Sequence, residues 1–146
     1  MITARKEIIM SRVIKFRGLG INGHWYYGLL AESKGDRGQQ KKGLYISNSV
    51  GMPWAYQVRP ETVGEFTGLH DKNKQEIWEG DIVRHWSCTQ KSFNREVIFQ
   101  WGMFGFLDAI KQFNPIGTSL GNKPDNTGYV VIGDIYQNPE LLESNR

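Results

Sequence analysis

Residues 58–83, with the sequence VRPETVGEFTGLHDKNKQEIWEGDIV, constrain the fold more than any other segment of this chain. Short runs suited to strands alternate there with polar turns, since Asp and Asn accept left-handed backbone and bond their own amides, and glycine supplies positive φ. The predicted elements are, in order, a strand over 62–67, a turn over 71–74, a strand over 76–78, a turn at Gly80 and a strand over 82–86. This density of turns predicts a small β module.

Strand signals also dominate the remainder of the chain, as alternating or aromatic-rich runs separated by glycine and proline. These runs cover residues 12–17, 24–31, 43–47, 96–101, 106–110 and 128–136. Residues 114–127 are predicted to be the least structured, and Asn138 and Pro139 predict a final helical turn. We therefore predict a single mainly β domain, a bent antiparallel sheet or small barrel with a short C-terminal helical turn.

The length and a second start codon define the expected domain. A chain of 146 residues suits one domain that folds without disulfides or metals. Met10 opens a second plausible start, and codons for Lys6 and Glu7 upstream of it are compatible with a ribosome-binding site. We therefore expect residues 1–9 to be a non-native or dispensable extension and residues 10–146 to be the domain.

The composition excludes several classes of protein. Cys88 is the one cysteine, so neither an internal disulfide nor a cysteine-based zinc site is available. No run approaches the roughly 18 apolar residues that span a membrane, and the N-terminus lacks the apolar segment of a signal peptide. We therefore expect a cytoplasmic protein that makes no contact with a membrane.

Charge is unevenly distributed along the sequence. Residues 1–60 hold ten Lys and Arg against three Asp and Glu, whereas residues 61–146 hold eight against twelve. Basic grooves with stacking aromatic rings bind single-stranded nucleic acid. The candidate binding residues are Lys15, Arg17, Lys34, Arg37, Lys41 and Lys42, near Trp25, Tyr26, Tyr27 and Tyr45 in sequence. The alternative is that the fold interleaves the two halves and cancels the asymmetry.

Candidate metal ligands and nucleophiles are poorly supported. The three histidines are far apart and form no ligand pair with metal-binding spacing, so we expect no metal site. Cys88 lies three residues after His85, but no third group that would orient a thiol nucleophile is evident. Neither a nucleotide-binding P-loop nor a dinucleotide fingerprint is present.

Three carboxylates lie close together in sequence around one turn, at Glu76, Glu79 and Asp81. Acid–base catalysis needs two carboxyl groups held in different environments. We expect Asp81 to accept backbone amides of its own turn instead. A structural role is predicted for the turn residues Gly68, Asp71, Asn73, Gly80 and Asp81, so replacing Gly80 by Val should lower stability. We predict no catalytic residues and no cofactor.

Three blocks of the sequence stand out: IKFRG at residues 14–18, the block at residues 60–83, and VIGDIYQNPELL at residues 131–142. Together they resemble the YopX family of phage and prophage proteins. The departures are mild: the family often has Ala-Trp where this chain has Gly18 and Leu19, and Gly-Asn where it has Gly133 and Asp134. The resemblance implies a mostly β fold, a phage or prophage origin and self-association, and it implies no catalytic residues.

These observations together predict a non-enzymatic, oligomeric phage accessory protein that binds a host or phage macromolecule through its loops. The candidate surfaces are residues 34–42, 48–54 and 114–127. A nucleic-acid-binding β-barrel, a module that sequesters a small anionic nucleotide-like ligand, and an uncharacterised enzyme are the alternatives. Fold analogy alone does not separate them.

Overall fold

A computed structural model of the chain describes residues 12–35, 38, 40–47, 55–86, 91–117 and 128–143. The strands are β1 (Phe16–Leu19), β2 (Trp25–Ser33), β3 (Gly43–Ser47), β4 (Ala55–Val58), β5 (Gly64–His70), β6 (Glu76–Trp78), β7 (Asp81–Trp86), β8 (Ser92–Glu96), β9 (Ile98–Gln100), β10 (Met103–Leu107), β11 (Phe113–Pro115) and β12 (Val130–Asp134). A 3-10 turn (Pro60–Thr62) and helix α1 (Glu140–Glu143) complete the described elements. The predicted mainly β class is confirmed, and so is the C-terminal helical turn.

The strands form three antiparallel sheets. The first has the order β4-β3-β2-β1-β5-β6, the second β12-β7-β8 and the third β11-β10-β9. The first sheet curls, because Gly20 bridges Val58 and the amide of Arg59 donates to the carbonyl of Leu19 at 2.9 Å. A Cβ at Gly18 would lie 2.7 Å from the Val58 side chain, so glycine permits the close approach. Within the described residues the sheets are bent and do not close into a barrel.

The main core lies where the second and third sheets meet β6. Its buried members are Ile77, Val83, Val97, Phe106, Ile116 and Tyr129. Val97 separates β8 from β9 and is fully buried. Its amide donates to the carbonyl of Asp81 and its carbonyl accepts the amide of Gly80, both at 2.8 Å. The continuous segment from β8 through Val97 to β9 therefore belongs to both the second and the third sheet, and it fixes the position of one relative to the other.

Asp71 organises the turn between β5 and β6 and links it to β12. It is fully buried, and its Oδ1 accepts the amides of Asn73 and Gln75 at 2.8 and 2.9 Å. Its Oδ2 accepts the amide of Val131 at 3.0 Å. This arrangement confirms the structural role predicted for Asp71, and it adds a link to a strand 60 residues away that local sequence does not reveal.

Ion pairs join the two halves of the chain. Arg12 pairs with Glu65 at 2.6 Å, Lys15 pairs with Glu76, and Arg17 pairs with Asp81 at 2.7 Å. Each pair joins a cation from residues 1–60 to an anion from residues 61–146, because β1 lies beside β5 in the first sheet. The interpretation that the fold interleaves the two halves is confirmed for these residues.

Several strand boundaries differ from those predicted. β1 begins at Phe16 rather than at residue 12, and the preceding Val13 is 58% exposed. β4, β8 and β11 were not predicted. β11 contains Pro115 and lies within the run predicted to be least structured; proline is tolerated there because β11 is an edge strand. Residues 1–9, 48–54 and 118–127, together with Arg37 and Cys88, lie outside the described residues.

Gly80→Val should lower the free energy of unfolding by about 2 kcal/mol or more, because left-handed backbone costs an L-residue roughly 1–2 kcal/mol before any steric clash. Gly80 has φ +85°, and a Cβ there would lie 3.2 Å from the Tyr136 ring. Urea denaturation measures the loss. Gly68→Val is the matched control, since Gly68 has φ +81° with open space around it. A Gly80→Val protein with an unchanged melting temperature would contradict the predicted structural role.

Candidate functional site

The basic residues predicted to form one binding surface lie at two separate places in the structure. Lys15 and Arg17 lie at β1, whereas Lys34, Lys41 and Lys42 are exposed at the far end of the β2–β3 hairpin. Lys34 is six residues beyond the residue of β2 that pairs with Phe16, a separation of about 20 Å at the rise of an extended strand. The described members of the set therefore do not form one continuous surface. Their predicted binding role stays a prediction.

Arg17 is buried, so it is not part of an exposed basic surface. It is 5% exposed, and its Nη2 lies 2.7 Å from Asp81 Oδ1. The same nitrogen donates to the carbonyl of Glu79 at 3.3 Å. The guanidinium lies over the Trp25 ring, 4.3 Å from its centroid. A buried charge requires such pairing, because the uncompensated ion would lose its hydration.

Cations and aromatic rings alternate across this face of the first sheet. The Arg17 guanidinium lies 4.3 Å from the Trp25 centroid and 5.7 Å from that of Trp78. Lys15 Nζ lies 4.7 Å from the Phe66 centroid and 5.4 Å from that of Trp78. Of the two cations, Arg17 thus contacts Trp25, one of the aromatic residues near it in sequence. Both cations are engaged by carboxylates, so this face differs from a free basic groove.

The other aromatic residues of the predicted surface have different environments. Tyr26 stacks on Tyr56, with centroids 4.0 Å apart. Tyr45 is buried, and its hydroxyl donates to the carbonyl of Lys41 at 2.8 Å. Tyr27 is 47% exposed and packs against Trp78. Tyr27 is therefore the member of this aromatic group that is free to contact a ligand.

A cavity of about 370 Å³ opens beside Arg17, and we call it the Arg17 pocket. Its lining includes Arg17, Trp25, Tyr27, Asp81, Asp134 and Gln137. Asp134 ends β12, and its Oδ1 accepts the amides of Tyr136 and Gln137 at 2.9 Å. Trp25 Nε1 donates to Gln137 Oε1 at 3.3 Å. The pocket thus combines a buried guanidinium, two carboxyl groups and aromatic rings.

Burial raises the pKa of Asp81 to about 6, although Arg17 and the amide of Trp78 act in the opposite direction. The folded state therefore binds more protons at this carboxyl than the unfolded state does. The stability that this protonation contributes is present below the ordinary pKa of 3.8 and is lost as the pH rises to about 6.

Carboxyl NMR should accordingly show Asp81 titrating near pH 6. Asp108 is the internal control: the amide of Gln112 holds the pKa of Asp108 below its ordinary value. A protein in which both carboxyl groups titrate below pH 4 would contradict this prediction. Direct titration is preferable to a melting curve, because burial lowers the pKa of His85 and gives stability the opposite pH dependence.

Among the residues that the structure describes, the remaining chemical candidates do not assemble into a site. His85 packs against Phe93, Phe106 and Tyr129. Glu79 Oε2 accepts the amide of Glu65 at 3.4 Å, while Glu76 and Asp81 pair with different cations. Within the described ranges, no three side chains of His, Cys, Asp or Glu come together as metal ligands.

The β9–β10 hairpin exposes large apolar side chains that the sequence did not mark as a site. Residues 98–107 contain no charged residue. Trp101 at the tip is 74% exposed, Phe99 is 51% exposed and Met103 is 43% exposed. Interface cores are typically poor in charge and rich in aromatic residues and Met. The hairpin is therefore a candidate protein-binding surface.

The backbone at the tip of this hairpin is strained. Trp101 has φ +52° and Gly102 has φ +77°, the two positive values of a type I′ turn. Asn, Asp or Gly favours the first of these positions, and a bulky residue there is an outlier that costs roughly 1–2 kcal/mol. The Trp101 ring also packs edge-on against Phe113, with centroids 5.5 Å apart.

In the part of the chain that the structure describes, no helix is long and apolar enough to cross a bilayer.

The chain is similar to one known family and to a solved structure. A family model described as YopX protein matches residues 15–143. No curated protein matches the sequence. The crystal structure of protein EF1440 from Enterococcus faecalis is similar, with a TM-score of 0.53 and 24% sequence identity over 90% of this chain and 99% of that chain. At that identity the likeness shows a shared fold.

Proposed function

The chain belongs to the YopX family, and on that premise we propose that it is a non-enzymatic phage or prophage accessory protein that binds a partner protein. Binding takes place in the cytoplasm of the bacterial host, through the β9–β10 hairpin. The partner presents an apolar cleft that receives Trp101. The observation that carries this proposal is the exposed tryptophan held in left-handed backbone.

Strain of this kind supports a functional role when stability alone favours another residue. Asn-Gly is the preferred type I′ pair, so Asn at position 101 would relieve the turn. The contact of Trp101 with Phe113 contributes about 0.5–1.5 kcal/mol, which roughly offsets the backbone cost. Folding thus gains little from Trp101, whereas tryptophan is among the residues most enriched at interface hot spots.

Because the β9–β10 hairpin has no charged residue, it suits a protein partner better than nucleic acid. Nucleic acid binding depends on cations that neutralise phosphates, and residues 98–107 provide none. The nucleic-acid alternative therefore depends on the exposed lysines Lys34, Lys41 and Lys42 at the other hairpin. A second copy of this chain is the other occupant to be tested, since self-association is also expected.

Trp101→Asn tests the proposal, because it should remove binding without loss of stability. We expect the free energy of unfolding to stay constant or to rise by up to about 1 kcal/mol. Tagged wild-type and variant proteins are used to capture partners from a lysate of infected or lysogenic cells. Proteins captured by the wild type should be missing with Trp101→Asn.

Lys111→Asn is the matched control. Lys111 is exposed and has φ +64° in the β10–β11 turn, so this change relieves similar strain away from the tip. The control should retain every partner. Retention by Trp101→Asn would overturn the proposal, as would a stability loss above about 1 kcal/mol, which would show that Trp101 serves packing. An oligomer that Trp101→Asn dissociates would identify a second copy as the occupant instead.

A further inference from the structure

We propose that the Arg17 pocket binds a neutral, planar heterocycle, and specifically the guanine base of a nucleoside or nucleotide. This site is separate from the β9–β10 hairpin, and the proposal does not depend on the function proposed for that hairpin. The proposal rests on the unmet hydrogen-bonding groups of the pocket, its charge, its exposed ring and its size.

The pocket contains a buried donor and a carboxylate oxygen that the described chain leaves unmatched. Arg17 is 5% exposed, and its Nε is buried without a hydrogen-bond acceptor among the described residues. Asp134 is 7% exposed; both described hydrogen bonds to its side chain use Oδ1, which leaves Oδ2. Leaving the buried Nε of Arg17 unsatisfied costs about 1–3 kcal/mol. A ligand donor in the pocket would satisfy Asp134 Oδ2, and a ligand acceptor would interact with the Arg17 guanidinium that lines the same pocket.

The charge of the pocket argues against an anionic ligand. Asp81 is paired with Arg17, so Asp134 remains as an uncompensated carboxylate. A phosphate or carboxylate brought beside it would be repelled in surroundings of low dielectric. The anionic-ligand alternative is therefore not favoured for this pocket. The base of a nucleotide can enter with its phosphates directed away.

Guanine matches this arrangement better than adenine. Its N1–H and N2–H groups donate side by side, as a carboxylate requires, and its O6 accepts on the same edge. Adenine presents one amino donor beside a ring acceptor on that edge, so it cannot give a carboxylate two donors. Asp134 Oδ2, the oxygen that the turn amides do not use, would accept both donors of guanine, and the guanidinium of Arg17 would donate to O6.

The pocket also offers a stacking surface and sufficient volume. Tyr27 lines it and is 47% exposed, so its ring can receive a base. Stacking of a base on an aromatic ring contributes about 1–3 kcal/mol. The cavity volume of about 370 Å³ lies within the range of small-molecule sites.

Calorimetric titration of the full chain with guanosine, adenosine and cytidine tests the inference. Neutral nucleosides remove any contribution from phosphate. We expect guanosine to bind at least tenfold more tightly than adenosine or cytidine. Asp134→Asn should weaken guanosine binding at least tenfold, because the amide presents a donor where the base needs an acceptor. Tyr27→Leu, at a half-exposed site, should also weaken it.

Asp108→Asn is the matched control for the loss of a turn carboxylate. Asp108 Oδ1 accepts two turn amides as Asp134 does, but Asp108 lies outside the pocket. Guanosine affinity should be unchanged in this control and in Trp101→Asn. Absence of guanosine binding at millimolar concentration overturns the inference, as does equal affinity for adenosine. If Asp134→Asn fails to fold, unchanged affinity in Tyr27→Leu overturns it.

Discussion

Arg17→Met should lower the free energy of unfolding by about 3–5 kcal/mol, the usual cost of removing one partner from a buried ion pair. The change leaves Asp81, which is 2% exposed, without its cation. It also removes the guanidinium from the Trp25 ring. Urea denaturation at pH 8 measures the loss. The loss should be smaller at pH 5, because protonation neutralises the orphaned carboxyl group.

Arg12→Met is the matched control for Arg17→Met. Arg12 forms a comparably short ion pair with Glu65, but its side chain is 59% exposed. Exposed pairs contribute about 0–1 kcal/mol, so this variant should be nearly neutral. The double variant Arg17→Met with Asp81→Asn should recover part of the stability, since no buried charge then remains. Equal losses in the two single variants would show that burial does not govern these pairs.

Asp71→Ala should lower the free energy of unfolding by about 3 kcal/mol or more, because three amides lose a charged acceptor at a buried position. Those amides belong to Asn73, Gln75 and Val131. The first two shape the turn, and the third connects that turn to β12. Thermal and urea denaturation should agree on the loss, since one domain of this size unfolds in a single transition.

Asp108→Ala separates the effect of burial from the effect of the turn itself. Asp108 Oδ1 accepts the amides of Ile110 and Gln112 in an exposed turn, where water can replace the carboxylate. Its loss should cost about 1 kcal/mol. If Asp71→Ala costs no more than this, the bond to Val131 contributes little to the connection between the sheets.

Local sequence predicted those parts of the fold that depend on local chemistry. The predicted strands over 43–47 and 76–78 coincide with β3 and β6. The positive φ of Gly80 and the bond from the Trp78 amide to Asp81 were also expected from turn chemistry. These features depend on residues within a few positions of one another, where backbone preferences act directly.

Features that depend on distant partners were not predictable in the same way. From sequence, Arg17 is predicted to be a surface cation, because no residue near it indicates that it pairs with Asp81, 64 positions away. The sequence predicts that Trp101 lies in a strand, and it does not indicate that the side chain is exposed, because apolar residues occupy both alternating sets of positions from 97 to 101. The Trp-Gly pair between two apolar runs was the one available signal of a strained tip.

The position of β1 inside the six-stranded sheet has a consequence for synthesis of the chain. One edge of β1 pairs with β2 as soon as a hairpin can form, but its other edge pairs with Gly64 and Glu65. Until those residues emerge from the ribosome, a nascent chain presents an unpaired strand edge, the type of surface that templates aggregation. Stalled or prematurely terminated products should therefore be more dependent on chaperones than the finished protein.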